Sequence, residues 1–351
     1  MDNLSKFVGL DYHQLSVQVC VMDGDGQVLS NRSLENQLCE IVDEAGRHGP
    51  VAGVAIEACG GASDLAEKIV ALTGWPVHLA HPGYVNRMRQ NPDKHDWGDA
   101  RMLADLERVG YLPRVWLAPS EIRELRRLVA YRRQTAQHRR DIKLRIGALL
   151  REERQIYRDG SAWTRKWKAW LAQEAQLSEQ SRWIIDRQLE QLMVTQKEIR
   201  IVEDRLKSLT QKDSLVQALL EHKGIGPVTA WTLRAHIGRF DRFRTGKQLA
   251  RFCGLTPRNA SSGERQADAG LIKAGHPELR ATLIETAQRL IRTDTHWGRH
   301  GRALIERGKP YCVAVAAVGN RWMRWLFHQM QPGGATPRPA PQGRRSCESA
   351  A

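Results

Sequence analysis

Residues 7–29 of the chain read FVGLDYHQLSVQVCVMDGDGQVL. Apolar and β-branched residues dominate 7–10 and 17–22, which is typical of buried strands. Residues 23–26, Asp-Gly-Asp-Gly, are a strong hairpin turn signal before a further apolar run at 27–29. The stretch therefore predicts antiparallel strands at the start of the chain.

Strand-like and helix-like patterns alternate through the rest of the first 115 residues. Residues 51–56 and 77–80 are short apolar runs that we predict to be strands, and residues 65–72 carry a helical pattern. Another helical pattern is formed by Leu34, Leu38, Ile41, Val42 and Ala45. Antiparallel strands followed by alternating strands and helices indicate a mixed α/β sheet covered by helices in residues 1–115.

Charged helix formers dominate residues 116–212, where Gly and Pro are rare. One predicted helix begins at Ser120, has apolar ends and carries a basic middle. A second helix has an apolar seam close to a heptad repeat, which predicts a helical hairpin or coiled coil. Its seam residues are Ile185, Leu189, Leu192, Ile199, Leu206 and Leu209. Trp163, Trp167 and Trp170 are spaced for one helical face, which serves either packing or base stacking.

Residues 213–331 form a third predicted unit, mostly helical with glycine-marked turns. The tail, 332–351, is rich in Pro, Gly, Arg and Ser, a composition typical of disorder. The predicted fold class is therefore α/β plus α, with a sheet domain, a long helical coiled-coil middle and a helical C-terminal domain.

Charge and composition narrow the function classes. The chain has 351 residues, and Lys plus Arg outnumber Asp plus Glu by 54 to 39, for a net charge of +15. Such an excess favours a polyanionic partner, DNA or RNA. The six cysteines form no CxxC pair, which argues against a structural zinc site. Because neither a signal peptide nor a membrane-length apolar run is recognisable, we expect a cytoplasmic protein with no membrane partner.

Four acids occupy positions that suit a metal site. Asp11 follows the first strand run, and Glu57 follows the run at 51–56. Asp96 and Asp99 lie three residues apart at the start of a helical pattern, so both face one way. Clustered carboxylates are costly unless cations neutralise them, and two Mg²⁺ ions would do so while activating phosphoryl transfer. The alternative is that Asp96 and Asp99 are helix N-terminal acids and Asp11 is a turn residue.

The C-terminal unit contains a candidate phosphate-binding turn. Lys223, Gly224 and Gly226 lie in a helix–glycine turn–helix pattern that indicates a helix-hairpin-helix, or else a tight interhelical turn without a ligand. The basic middle of the long helix, represented by Arg132 and Arg139, either grips phosphates or is a solvated face. Ser262 lies in a polar loop and, from its surroundings alone, is more typical of a loop residue than of a nucleophile.

Taken together, residues 1–331 resemble the insertion-sequence transposases with an Asp-Glu-Asp-Asp motif, the bridge-RNA-guided serine recombinases, which are related to pilin-gene invertases. The resemblance rests on short segments in a specific order. They are VGLD at 8–11, IEA at 56–58, KHDWGDA at 94–100, GIGP at 224–227, GLTP at 254–257, SG at 262–263 and KAG at 273–275. At His95, Trp97 and Gly98 the chain departs from the family, which has Thr and basic residues there.

The resemblance implies a RuvC-like, RNase H-type domain in which Asp11, Glu57, Asp96 and Asp99 bind Mg²⁺, with Mn²⁺ able to replace it. It also implies a serine nucleophile, for which Ser262 is the preferred match and Ser261 the neighbouring competitor. The expected partners are donor and target DNA, a guide noncoding RNA and further copies of the chain in a dimer or tetramer. The expected location is the bacterial cytosol and nucleoid, and Lys273 is expected to contact nucleic acid.

The function predicted from the sequence is DNA strand cleavage and exchange by a transposase of a mobile element. Two alternatives stay open. The first is a junction-resolvase-like nuclease that uses the same four acids with water as nucleophile. The second is a non-catalytic DNA- or RNA-binding protein, for which Mg²⁺ would be dispensable.

Overall fold

The computed structural model describes residues 5–88, 95–259 and 268–331. The chain divides into two compact units, Met1–Pro119 and Ser120–Ala351. None of the helices in the described ranges is long and apolar enough to cross a membrane.

The first unit is built on a six-stranded sheet with the order β3-β2-β1-β4-β5-β6. The strands are β1 (Lys6–Tyr12), β2 (Ser16–Met22), β3 (Val28–Glu35), β4 (Val51–Glu57), β5 (Val77–Ala80) and β6 (Arg114–Val115). The first three strands pair antiparallel, β4 and β5 run parallel to β1, and β6 is antiparallel to β5. This mixed sheet is consistent with the predicted RuvC-like fold.

Four helices accompany the sheet: α1 (Leu38–Gly46), α2 (Ala62–Thr73), α3 (Pro82–Met88) and α4 (Asp96–Arg108). Alternation along β1 divides its side chains between two faces. Val8 and Leu10 are fully buried in the core that includes Ile41 of α1 and Leu65 of α2. On the other face the sheet packs against α4, so β1 is covered on both sides and carries Asp11 at its carboxyl end.

Gly9 determines how closely α4 approaches β1. A β-carbon at this position would lie 2.0 Å from the carbonyl oxygen of Ala100 and 2.5 Å from the amide nitrogen of Ala104. Only a residue without a side chain allows the helix backbone to rest on the strand backbone at this distance. The same contact places the first turn of α4 beside the end of β1.

The hairpin turn predicted at residues 23–26 is confirmed, but the helix predicted from Leu34 begins later. The Asp23 carboxylate accepts hydrogen bonds from the backbone N–H groups of Asp25 and Gln27, at 3.0 and 2.9 Å. Leu34 belongs to β3, where it pairs with Val17 of β2, and α1 starts at Leu38. Cross-strand pairing thus determines the structure at Leu34, although the spacing of the apolar residues suggested a helix.

The second unit is mainly helical. Its elements are α5 (Ser120–Glu152), α6 (Arg165–Gln173), α7 (Glu179–Thr210), α8 (Ser214–Leu220), α9 (Pro227–Ile237), α10 (Gly246–Phe252), α11 (Pro277–Ile291), α12 (His296–Glu306) and α13 (Tyr311–Gln329), with a hairpin of β7 (Pro257–Asn259) and β8 (Asp268–Leu271). The two long predicted helices are present as α5 and α7, and they pack side by side.

The apolar seam of α7 differs from the predicted one at its C-terminal end. Leu209 is 49% exposed, whereas Val202 is buried. The helical phase explains this difference, because Val202 lies nearer to the direction of Ile199 and Leu206.

The predicted tryptophan stripe is not a single helical face. Trp163 precedes α6 and has a positive φ of 73°. Trp167 is 3% exposed and belongs to a core with Ile146 and Ile185. Packing, rather than base stacking, accounts for this buried tryptophan.

Candidate active site

The register of the sheet places Asp11 and Glu57 at the same edge. Leu10 of β1 pairs with Ile56 of the parallel strand β4. Asp11 and Glu57 each follow by one residue, at the carboxyl ends of neighbouring strands. In open sheets that contain parallel strands, this edge is where ligands commonly bind.

The first turn of α4 supplies the other two acids. Asp96 is the first residue of the helix and Asp99 the fourth, and the His95 side chain caps it by accepting a hydrogen bond from the Gly98 N–H at 2.9 Å. Asp99 is 5% exposed, whereas the Asp96 side chain is 55% exposed. One acid of the pair is thus buried and the other faces solvent.

The electrostatics of Asp11 connect all four acids. Burial raises the pKa of Asp11 above its ordinary value, while nearby His13 lowers it. The negative charges of Asp99, Asp96 and Glu57 each raise this pKa further. In addition, Oδ2 of Asp11 is buried and accepts no hydrogen bond within the described structure. The structure therefore brings Glu57, Asp96 and Asp99 close to the Asp11 carboxylate, whose Oδ2 has no hydrogen-bond partner within the described structure.

Sequence reasoning missed His13. Its Nε2 lies 3.5 Å from Oδ2 of Asp11 and 3.3 Å from Oδ2 of Asp96. One donor atom from each of these three residues lies within 4.8 Å of the others, an arrangement that could hold a metal ion. The only signal in the sequence was a histidine two residues after the first acid.

A polar network that also escaped the sequence analysis holds the first turn of α4. The Gln18 side-chain amide donates to Oδ1 of Asn31 at 2.7 Å, and the Asn31 amide donates to the Trp97 carbonyl at 2.9 Å. Gln18 is 8% exposed and pairs with Asp11 across β1 and β2. A polar residue at a buried position of a strand was the available signal, but its partners depend on the register of β3.

The segment that carries the predicted serine nucleophile is flanked by two described strands. Ser261 and Ser262 lie outside the described residues, in the segment that joins β7 to β8. At the base of this hairpin, the backbones of Gly254 and Gly275 touch, because a β-carbon on Gly275 would lie 2.3 Å from the Gly254 Cα. This contact explains why both the GLTP and the KAG segments need glycine.

The predicted phosphate-binding turn lies between α8 and α9. Gly224 has φ +94°, which L side chains rarely adopt, and a β-carbon there would lie 2.9 Å from the Leu290 side chain of α11, so the backbone conformation accounts for glycine without a ligand. Gly226 and Lys223 are exposed, and Gly226 is the N-cap of α9. Lys273 is exposed in the turn before α11.

Arg132 and Arg139, predicted to contact nucleic acid, have different surroundings on α5. Nε and Nη2 of Arg132 donate to Oε1 of Glu203 on α7, at 3.0 and 2.7 Å. Its side chain is 20% exposed. Arg139 lies seven residues, about two turns, further along the partly exposed basic stretch. This ion pair links α5 to α7, so Arg132 has a structural role.

Comparison with protein families gives matches in both units. A family model described as "Transposase IS116/IS110/IS902 family" matches residues 216–301. A second model, for DEDD transposases of the IS110 type, matches residues 8–154. The second match contains the four acids, and the first contains the glycine turn at 224–226 and Ser262.

Individual relatives match over most of their length. The chain is 28% identical to a "Probable family 20 transposase" of Pseudomonas aeruginosa PAO1, over 93% of this chain and 96% of the relative. It is also 28% identical to the transposase for insertion sequence element IS1111A of Coxiella burnetii, over 89% of this chain and 86% of that protein. A transposase for element IS1328 of Yersinia enterocolitica is 24% identical over 80% of this chain and 82% of its own length. The chain is a DNA transposase, and its segments 8–154 and 216–301 are similar to DEDD transposases of the IS110/IS116 type.

Proposed function

We propose that this transposase cleaves and rejoins DNA strands with two cooperating groups, a metal-binding carboxylate cluster in the first unit and a serine nucleophile in the second. The observation that carries the proposal is the convergence of Asp11, Glu57, Asp96 and Asp99 on one edge of the sheet, where three acids raise the pKa of the fourth. The domain division at 1–115, 116–212 and 213–331 is part of the same proposal.

The residues at this edge fit divalent cations. Carboxylate oxygens are the ligands that Mg²⁺ prefers, and the buried Oδ2 of Asp11 accepts no hydrogen bond within the described structure. Asp11, Glu57, Asp96 and Asp99 would hold Mg²⁺, with two ions proposed and Mn²⁺ able to replace them. When bound, the ions would supply neutralisation of the phosphate charge and activation of an attacking oxygen.

Ser262 is the proposed nucleophile. Its Oγ would attack the scissile phosphorus and form a phosphoserine ester, while the bond from phosphorus to one sugar oxygen breaks. The serine hydroxyl gives up its proton as Oγ attacks, and the departing sugar oxygen takes up one proton and leaves as a hydroxyl group. Attack by the hydroxyl of another strand would then release the serine, so strands are exchanged without an external energy source.

Charge supports nucleic acids as the partners. The net charge of +15 suits donor and target DNA together with a guide noncoding RNA, the latter proposed from the family resemblance. We further propose that Lys223, Gly224, Gly226, Lys273, Arg132 and Arg139 contribute to this binding.

Exposed apolar residues on α7 support self-association into a dimer or tetramer. Trp183, Val194 and Ile201 are spaced by 11 and 7 residues, so they share one helical face. They are 63%, 69% and 51% exposed, respectively, and lie away from the buried seam. An apolar stripe of this kind marks a surface that is commonly covered by a partner.

The test is a recombination assay in cells that carry the flanking noncoding region of the element, combined with isolation of covalent protein–DNA adducts. Wild type is compared with Asp11→Asn, Ser262→Ala and the matched control Ser261→Ala. We expect Asp11→Asn and Ser262→Ala to abolish joining while DNA binding survives, and Ser261→Ala to retain both joining and the adduct.

Other outcomes would separate the alternatives. Cleavage without any adduct, unaffected by Ser262→Ala, would favour the resolvase-like nuclease with water as nucleophile. Loss of the adduct in Ser261→Ala alone would move the nucleophile by one residue. Similarity to transposases over most of the chain argues against a non-catalytic binding protein. Such a protein would be supported only if the Asp11→Asn variant kept its full function.

A further inference from the structure

We propose that His13 is a nitrogen ligand of the metal site, next to Asp11 and Asp96, and that it gives the site a preference for transition ions such as Mn²⁺ over Mg²⁺. The inference rests on the proposed metal-binding function of the carboxylate cluster and adds a residue outside the four acids.

Geometry is the first support. Nε2 of His13 lies 3.5 and 3.3 Å from one carboxylate oxygen each of Asp11 and Asp96. Ligand atoms that bind side by side to one ion, at the usual distance of about 2.1 Å, are separated by about 3 Å. The three donor atoms are therefore close to the spacing that one shared ion requires.

The turn that carries His13 is held in place. The backbone N–H of His13 donates to the Ser16 carbonyl at 2.9 Å, and this hydrogen bond closes the loop between β1 and β2. The Asn36 side-chain amide, from the end of β3, donates to the carbonyls of His13 and Gln14 at 3.0 and 3.3 Å. Because Asn36, just after β3, holds the backbone of this turn, the Cα of His13 is held next to the end of β1, from which the imidazole reaches Asp11 and Asp96.

Chemistry determines the expected preference. Mg²⁺ takes oxygen ligands almost exclusively, whereas imidazole nitrogen is a common ligand of transition ions. A site of carboxylates plus one imidazole therefore favours Mn²⁺ relative to a site of carboxylates alone. It leaves Mg²⁺ able to bind through the four acids.

The test measures metal binding by the full chain, without DNA, so it does not depend on transposition. Mn²⁺ affinity is measured from the EPR signal of the free ion, and Mg²⁺ affinity by competition. We expect His13→Asn to weaken Mn²⁺ binding by at least about ten-fold and to change Mg²⁺ binding by much less. His48→Asn, at the opposite edge of the sheet, is the matched control and is expected to leave both affinities unchanged.

A spectroscopic readout identifies direct coordination. Bound Mn²⁺ in the wild type is expected to show electron spin-echo modulation from imidazole ¹⁴N, and this modulation is expected to disappear in His13→Asn. Persistence of the modulation, or an unchanged ratio of the two affinities, would overturn the assignment of His13. Circular dichroism of His13→Asn verifies that the fold is intact, which the half-exposed position of this side chain favours.

Asp11→Asn distinguishes failure of this inference from failure of the proposed function. If Asp11→Asn removes metal binding and His13→Asn leaves the ratio unchanged, only the role of His13 is wrong. If Asp11→Asn binds both ions like the wild type, the carboxylate metal site itself is wrong, and the ligand role of His13 falls with it.

Discussion

Single residues fix the geometry of the candidate active site, and Gly9 does so without contributing a functional group. The β-carbon of an alanine here would collide with the backbone of α4, which cannot move like a flexible side chain. We expect Gly9→Ala to lower the free energy of unfolding by about 1–3 kcal/mol and to abolish transposition, because overpacking displaces the helix that carries Asp96 and Asp99.

Urea unfolding of the purified protein measures this effect. Gly60→Ala is the matched control, because no atom lies within 4 Å of its missing β-carbon and its φ is not positive. Equal stability of the two variants would contradict the contact between β1 and α4.

The sequence was sufficient to identify the four acids but not the polar residues that surround them. Asp11 and Glu57 follow apolar strand runs, and an i, i+3 pair on a helix shares a face, so local patterns place them. His13, Gln18 and Asn31 depend on how three strands register and how a turn closes. These relations are long-range, and no local periodicity encodes them.

Among the elements, the α5–α7 pair provides a test of whether Arg132 has a structural role. Its Nε and Nη2 both donate to the same oxygen of Glu203, and the two side chains are 20% and 33% exposed. We expect Arg132→Ala to lower the free energy of unfolding by about 0.5–1 kcal/mol, and a double-mutant cycle with Glu203→Ala to show coupling of similar size. Arg139→Ala is the control, expected to change stability by less than about 0.5 kcal/mol. Additive effects of Arg132→Ala and Glu203→Ala would mean that the pair contributes nothing.

The N-terminus of α11 carries a histidine that makes the second unit sensitive to acid. Burial is the main cause that lowers the pKa of His276 to about 4; the positive charges of His236, Arg126 and Arg133 act in the same direction, and Glu278 opposes them. The folded protein therefore favours neutral His276. Since the unfolded chain binds this proton near pH 6.5, stability is fully present above about pH 6.5 and is lost as the pH falls towards 4.

Urea midpoints measured at pH 7 and pH 5 check this dependence. We expect the free energy of unfolding to fall more between pH 7 and pH 5 in the wild type than in His276→Gln. The reason is that His276 takes up as much as about one proton when the wild type unfolds at the lower pH. His48→Gln serves as the control. An identical decrease in His276→Gln and the wild type would show that this histidine does not govern the acid response.

Helices and strands were predicted correctly where the local sequence determines them. Predictions were wrong where contacts with another helix or strand determine the local structure. The two long helices, strands β1 to β5 of the six-stranded sheet and the turn at 23–26 follow from local patterns. Leu34 follows its partner strand β2, and Trp163 adopts a positive φ before α6. The short strand β6 has only two residues, too few for any periodicity to appear.

At the scale of the whole molecule, the net charge of +15 makes nucleic-acid binding depend on salt. We expect the logarithm of the DNA association constant to fall linearly with the logarithm of salt concentration. Lys273→Ala should reduce the magnitude of this slope by about 1, because one phosphate contact is lost irrespective of the DNA sequence.

Fluorescence anisotropy over a range of salt concentrations measures the slope. Lys68→Ala is the control, because Lys68 is paired with Asp64 on α2 at 2.8 Å and is expected to make no phosphate contact. A slope that is unchanged in Lys273→Ala would remove this lysine from the DNA-binding surface.

The close contact between α4 and Gly9 also has a consequence for how copies of a mobile DNA element that encodes such a transposase lose their mobility in a genome. A motif search for inactive copies would look for the loss of one of the four acids or of the proposed nucleophile, Ser262. A copy with any larger residue at position 9 would keep every one of those residues and pass as intact in a motif search. We expect it to be immobile, because the helix carrying two of its acids cannot reach the strand that carries the first.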